Sequence, residues 1–156
     1  MRYLDTEIRL MEERDLDKVL EIENLCFINP WKEKDMLYEM KENPLSNLWV
    51  IELSNDSLGL KTICGFCDYW QTFDSGTICQ IAVHPDLQGY KLGSQMLEEI
   101  LKDAKAKKIR TLTLEVRVSN KKAIGLYKKF GFNFSHVKEG YYSDGEDALY
   151  MIWEDK

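Results

Sequence analysis

The stretch from Thr77 to Lys108 constrains this chain most. Thr77 to Val83 is apolar on both faces, as an interior β-strand is. Leu92 to Lys108 then carries Leu92, Met96, Leu97, Ile100, Leu101 and Ala104 on one helical stripe, with Lys102, Lys105, Lys107 and Lys108 toward its negative C-terminal end. Between them lies His84-Pro85-Asp86-Leu87-Gln88-Gly89-Tyr90-Lys91. A buried strand that opens through a glycine-containing loop into a long amphipathic helix implies a sheet with helices packed on it.

The flanking sequence extends that picture. The spacing of Leu16, Val19, Leu20 and Ile22 predicts a first helix from Asp15, as N-cap, to Cys26. Asn29-Pro30 reads as the cap and first position of a second helix carrying Met36, Leu37 and Met40, ended by Asn43-Pro44. Leu48 to Leu53, Thr62 to Trp70 and Thr77 to Val83 read as a meander, with turns at Ser54 to Gly59 and Asp74-Ser75-Gly76. Thr111 to Val118 is a further strand. Ser119-Asn120 caps a short helix through Phe130 that Gly131 stops. Phe132 to Gly140 and Ala148 to Glu154 form a last hairpin around Ser143-Asp144-Gly145. The expected fold class is α/β, a mixed and mostly antiparallel sheet with helices on both faces.

At 156 residues the chain fits a single domain spanning residues 1–156, without repeats or linkers. Lys and Arg total 21 against 27 Asp and Glu, a net charge of −6, which disfavours nucleic acid and suits a basic peptide or an amine. No apolar run approaches the roughly 20 residues of a membrane span, and Met1 to Arg14 lacks the apolar stretch of a secretory signal. The cytoplasm is the expected location, with no membrane partner.

Cys64-Gly65-Phe66-Cys67 has the spacing of zinc and redox sites. A second pair or suitably placed histidines are missing, since His84 and His136 have the wrong spacing, and residues three apart on a strand point to opposite faces. Cys26, Cys64, Cys67 and Cys79 are therefore read as packed thiols in a reducing compartment, with no metal.

Two places carry chemistry. The loop before the long helix presents unpaired backbone N–H groups at a positive dipole end, with Gly89 and Gly93 keeping side chains away from an approaching anion. An ordinary strand-to-helix turn explains the same residues equally well. In Leu112-Thr113-Leu114-Glu115-Val116-Arg117-Val118, the residues Thr113, Glu115 and Arg117 share one face. An acidic residue on an interior strand calls for either a charged partner or a solvated cleft. His84, before Pro85, is read as a loop-structural residue.

These segments resemble the GNAT superfamily of N-acetyltransferases. Gln88 and Gly93 match its Gln/Arg-x-x-Gly-x-Gly/Ala coenzyme loop, with Lys91 in place of the middle glycine. Leu114-Glu115-Val116-Arg117-Val118-Ser119-Asn120 is similar to the Leu-Glu-Val-Arg-x-Ser-Asn run of the RimI-type enzymes, which acetylate the N-terminal alanine of a small-subunit ribosomal protein. Ala123 to Phe132 resembles that group's Ala-x-x-Leu-Tyr-x-x-x-Gly-Phe helix, and Pro30-Trp31 and Tyr141-Tyr142 resemble further segments of it.

The resemblance implies acetyl-CoA as cosubstrate, with no metal. It implies that Gln88, Gly89, Tyr90, Lys91, Leu92, Gly93 and Ser94 hold the pyrophosphate. Asn120 would contact the coenzyme, and the backbone of Ile81, Ala82 and Val83 would lie along the thioester. It further implies Glu115 as proton acceptor, Tyr127 as proton donor to the leaving thiolate, and the N-terminus of a basic ribosomal protein as partner. Trp31, Trp49, Trp70 and Trp153 are read as packing residues, with a place at the peptide entrance as the alternative for Trp31. Two other readings stay open: a GNAT enzyme acting on a lysine side chain or polyamine, and a coenzyme A-binding module without turnover.

Overall fold

The computed structural model describes residues 5–55 and 60–156. Its elements are β1 (Asp5–Leu10), α1 (Leu16–Cys26), α2 (Glu33–Lys41), β2 (Ser46–Asn55), β3 (Leu60–Thr72), β4 (Ser75–Val83), α3 (Leu92–Ala106), β5 (Thr111–Arg117), α4 (Lys121–Lys129), β6 (Asn133–Lys138) and β7 (Ala148–Glu154). The strands form one seven-stranded sheet in the order β1-β2-β3-β4-β5-β7-β6. All neighbours are antiparallel except β4 and β5. The expected mixed sheet is present.

Helices cover both faces. The stripe Leu92, Met96, Leu97, Ile100 of α3, joined by Ile124 and Tyr127 of α4, packs on Ile51, Cys67, Tyr69, Ile78, Leu112 and Leu114. On the opposite face Val19 and Ile22 of α1 and Met36 of α2 pack on Val50, Ile63 and Phe66. Leu97 and Ile22 are fully buried, so truncating either to alanine is expected to cost about 2–5 kcal/mol.

Several expectations need correction. Asp5–Leu10 is a strand, although Met1 to Arg14 reads only as a charged stretch; it pairs along β2 and buries Arg9. Arg9 donates to Asp15 at 2.7 and 2.9 Å and to Glu52 at 3.2 Å. Asp15 stands at the N-cap of α1 as expected, but its carboxylate accepts from Arg9 and from the Glu12 N–H and makes no side-chain cap bond to α1. The second helix begins at Glu33, not at Asn29-Pro30. The Trp31 N–H donates to the buried Glu23 carboxylate at 2.7 Å, which holds Pro30-Trp31 outside the helix, and Asp35 caps the Lys32 N–H at 2.9 Å. Of the turn expected at Ser54 to Gly59, residues 56–59 lie outside the described residues, while Ser54 and Asn55 continue β2.

Cys64 and Cys67 share the α3 face instead of pointing to opposite faces. The β2–β3 register shifts between Ile51 and Glu52, a bulge that leaves Cys64 as the extra residue and inverts the alternation. All four cysteines are unpaired, and burial raises the Cys64 thiol to about 11 and Cys67 well above the usual range. Among the described residues no group of three or more His, Cys, Asp or Glu is arranged to hold a metal ion, and no helix is long and apolar enough to cross a membrane.

Candidate active site

β4 and β5 pair only from Ser75 to Thr77 against Thr111 to Thr113, although both strands run on, to Val83 and Arg117. Beyond that point they diverge, and an opening results between two parallel strands. Past the split each strand keeps its other neighbour, β4 with β3 and β5 with β7, so both remain in the sheet while their facing edges are unpaired. Backbone groups at the split, freed from each other, border two clefts.

The first cleft, about 590 Å³, lies between the C-terminal end of β4 and the N-termini of α3 and α4. Ile81, Ala82, Val83, Gln88, Gly89 and the Lys91-to-Ser94 turn line it, together with Asn120 and Tyr127. The first intrahelical bond of α3 runs from the Gln95 N–H to the Lys91 carbonyl, so the amides of Leu92, Gly93 and Ser94 are unused by the helix. No acidic residue stands in that first turn. These features fit a pyrophosphate, since the dipole and the free amides favour an anion and nothing repels it. A Cβ at Gly93 would sit 3.3 Å from Leu126, so glycine also permits the close approach of α3 and α4.

Lys91 has φ 62°, in the left-handed region, and caps α3. This explains why a glycine is usual at the position: the turn needs a positive φ, which costs an L side chain about 1–2 kcal/mol. Gln88 donates to the Val83 carbonyl at 3.4 Å and closes the loop onto the strand end. His84 is structural, as expected, its Nδ1 accepting from the Asp86 N–H at 3.1 Å. Tyr90 is half-exposed and does not line the cleft, unlike its neighbours.

The second cleft, about 400 Å³, opens on the other side of the split. Glu115 and Arg117 of β5, Cys79 to Ile81 of β4, and Tyr141 and Tyr142 line it. Cys26, Phe27, Ile81, Asn120 and Tyr127 border both clefts, so a group passing from one to the other meets them. Asn120 caps α4 through its carbonyl oxygen, which accepts from the Ala123 N–H at 3.2 Å. Tyr127 is 7% exposed, and burial among apolar side chains holds its hydroxyl well above the ordinary phenol range. It therefore stays protonated at neutral pH.

Glu115 is paired. Its Oε1 accepts from Lys138 Nζ at 2.7 Å, and that ammonium stands 4.4 Å from the ring centre of Tyr150 and 5.5 Å from that of Tyr141. Arg117 is held by Asp144 at 2.9 Å and Glu146 at 3.0 Å and stacks 4.0 Å from Tyr142. The segment carrying Tyr141 and Tyr142 is thus fastened to β5. A bond between Asn29 and Ser143 links it to the α1–α2 connection, whose Phe27, Ile28 and Asn29 form the opposite wall.

Sequence reasoning missed Cys26, Phe27 and Ile28 as cleft residues, and Lys138 as the partner of Glu115. Leu25 in the last turn of α1 and Ile28 just beyond it are exposed apolar residues beside these clefts, a feature that the structure alone reveals. Trp31 packs against the core under α1 and α2, the packing role expected of the tryptophans, and does not line either cleft.

The comparisons agree with this geometry. The acetyltransferase (GNAT) family profile matches residues 16–132. A Bacillus subtilis (strain 168) protein, provisionally named a [ribosomal protein bS18]-alanine N-acetyltransferase, is 39% identical over 145 residues, 92% of each chain. The [ribosomal protein bS18]-alanine N-acetyltransferase of Escherichia coli (strain K12) is 33% identical over 147 residues, 92% of this chain and 94% of that one. The crystal structure of the Escherichia coli ribosomal-protein-S18-alanine N-acetyltransferase superposes with a TM-score of 0.83 at 30% identity, covering 96% of this chain and 94% of that one. With a split sheet, a helix N-terminus whose first amides are free and a second cleft holding a carboxylate, this chain belongs to the acetyltransferase (GNAT) family and is an N-acetyltransferase.

Proposed function

We propose that this protein transfers the acetyl group of acetyl-CoA to the N-terminal alanine of a small-subunit ribosomal protein in the cytoplasm. The observation that carries the reading is the meeting of the two clefts at Ile81, Asn120 and Tyr127. One cleft suits a phosphate-bearing coenzyme and the other an amine beside Glu115. Relatives at 33–39% identity, named for ribosomal protein bS18 alanine acetylation, support the substrate.

Bound along β4, acetyl-CoA supplies an activated acetyl group at the split. The free amides of Leu92, Gly93 and Ser94 and the backbone of Gln88, Gly89 and Lys91 hold its pyrophosphate, and the backbone of Ile81 to Val83 orients the acyl end. Glu115 accepts the proton that the attacking amine gives up, directly or through water. Tyr127, protonated and buried at the junction, gives a proton to the departing sulfur. An α-amino group, with a pKa of about 7.7–8.0, needs less help than a lysine at roughly 10.4.

The net charge of −6 favours a basic protein substrate, so kcat/KM for such a peptide falls with added salt more than kcat does. The test is mass spectrometry of a peptide with a free N-terminal alanine and several internal lysines. Acetylation confined to the terminus supports the reading. Modification of the lysines, or turnover with polyamines alone, overturns the substrate and leaves the family standing.

A further inference from the structure

A carboxylate placed beside an amine-binding cleft attracts ammonium groups of every kind. Lysine side chains, protonated at neutral pH, are the most abundant of them on a basic protein. Glu115 does not present a bare carboxylate. Lys138, at the end of β6, reaches diagonally across β7 and donates to Oε1 at 2.7 Å, while among the described residues Oε2 carries no hydrogen bond. The ammonium is held from the other side by the faces of Tyr150 and Tyr141, so it is fixed as well as paired. The Glu115 side chain is 18% exposed, which limits solvent screening at the carboxylate, while Lys138 reaches it from the more open edge strand. The nearby Arg117 is neutralised separately by Asp144 and Glu146. The other titratable side chains of the cleft, Cys26, Cys79, Tyr127, Tyr141 and Tyr142, are all pushed upward by burial and carry no charge at neutral pH.

We infer that Lys138 is a specificity-determining residue: by occupying Glu115 with a fixed cation it denies the cleft to ammonium groups and admits the neutral amine, which selects α-amines over lysine side chains. This rests on the amine-acetylating role proposed above for the second cleft. The size of the selection follows from the two acids. At pH 7.5 roughly a third of α-amino groups of pKa about 7.8 are neutral, against about 0.1% of lysines, a ratio on the order of 10². A cleft with an uncompensated carboxylate would give part of that ratio back, because an ammonium could bind first and lose its proton in place. Oε2 remains to take the proton of the attacking amine.

The test compares Lys138→Gln and Lys138→Arg with wild type on two peptides of otherwise equal sequence. One has a free N-terminal alanine and no lysine; the other has a blocked terminus and a single lysine. Gln keeps a hydrogen-bond donor to Glu115 and removes the charge; Arg keeps the charge. The expected result is a rise of about tenfold or more in the ratio of lysine to α-amine kcat/KM for Lys138→Gln. The wild-type ratio should be kept in Lys138→Arg, with acetyl-CoA affinity unchanged in both. An unchanged ratio in Lys138→Gln, including an equal loss of turnover on both peptides, overturns the inference and leaves α-amine acetylation intact. A wild-type enzyme that already prefers the lysine peptide overturns the substrate reading and this inference together.

Discussion

The hydroxyls of Thr77 and Thr113 face each other at 3.1 Å across the last paired position of β4 and β5. Below them the two strands behave as a parallel pair. Above them each strand follows its antiparallel neighbour, and the gap becomes the junction of two clefts. The site is thus a consequence of where one pairing ends, and the chemistry-bearing side chains Glu115 and Tyr127 sit just past that end.

Lys91 occupies a left-handed position that glycine adopts without strain. Lys91→Gly is expected to stabilise the protein by about 0.5–1 kcal/mol, after the greater flexibility of glycine in the unfolded chain is subtracted from the relieved strain. Urea denaturation measures this. Acetyl-CoA affinity should change by less than about tenfold, because the loop amides stay in place; complete loss of binding would make the Lys91 side chain a ligand.

Glu115→Gln should lower kcat by roughly 10²–10⁴ at neutral pH, the usual contribution of a general base. The deficit should shrink as pH rises and the amine loses its proton unaided. A rate profile from pH 7 to 9.5 decides this, and an equal deficit throughout removes Glu115 from the proton-accepting role.

Tyr127→Phe should reduce kcat by about 10²-fold while acetyl-CoA still raises the melting temperature as in wild type, since the hydroxyl acts only when the thiolate departs. Stopped assays paired with thermal shift measure both. A variant that keeps its turnover would leave Tyr127 as a packing residue in contact with Phe132.

A pH dependence of stability should come from Asp68, which is fully buried under α2 beside Glu39. Burial, and then the neighbouring Glu39 carboxylate, push its pKa up to about 8, against about 3.9 in the unfolded chain, while Ser46 donates to Oδ1 at 2.7 Å. The folded state therefore holds a proton that the unfolded state releases. Between about pH 4 and pH 8 this group lowers stability as pH rises, and above pH 8 its effect is constant. Asp68→Asn keeps the Ser46 bond and should be more stable than wild type at pH 8–9, with a flatter profile from pH 5 upward. Denaturant titrations across that range test it, and parallel profiles would contradict it.

Much of the fold is legible in the chain because its elements declare themselves locally. The α3 stripe, the alternation of Thr111 to Val118 and the stop at Gly131, with φ 96°, all match their sequence signals. The failures share one cause, a group engaged by a partner outside its own element. The Asp15 carboxylate bonds Arg9 and not the α1 amides, the Trp31 N–H is taken by Glu23, and a bulge against β2 brings Cys64 and Cys67 to one face. None of these partners lies within one turn of helix or one strand repeat, so no local periodicity encodes them.

The candidate site divides the same way. The loop proposed to hold the coenzyme is legible in the chain, because a strand, a glycine-containing turn and a helix N-terminus are contiguous, and their backbone amides converge wherever that motif folds. The sequence by itself also determined which face of β5 carries Glu115. Only the tertiary structure decided what that carboxylate meets. Lys138 is 23 residues away and reaches Glu115 solely because β7 intervenes between β5 and β6, and Tyr127 stands at the junction because α4 packs beneath the split. A side chain's charge belongs to the sequence, but the charge opposite it is set by strand order and register.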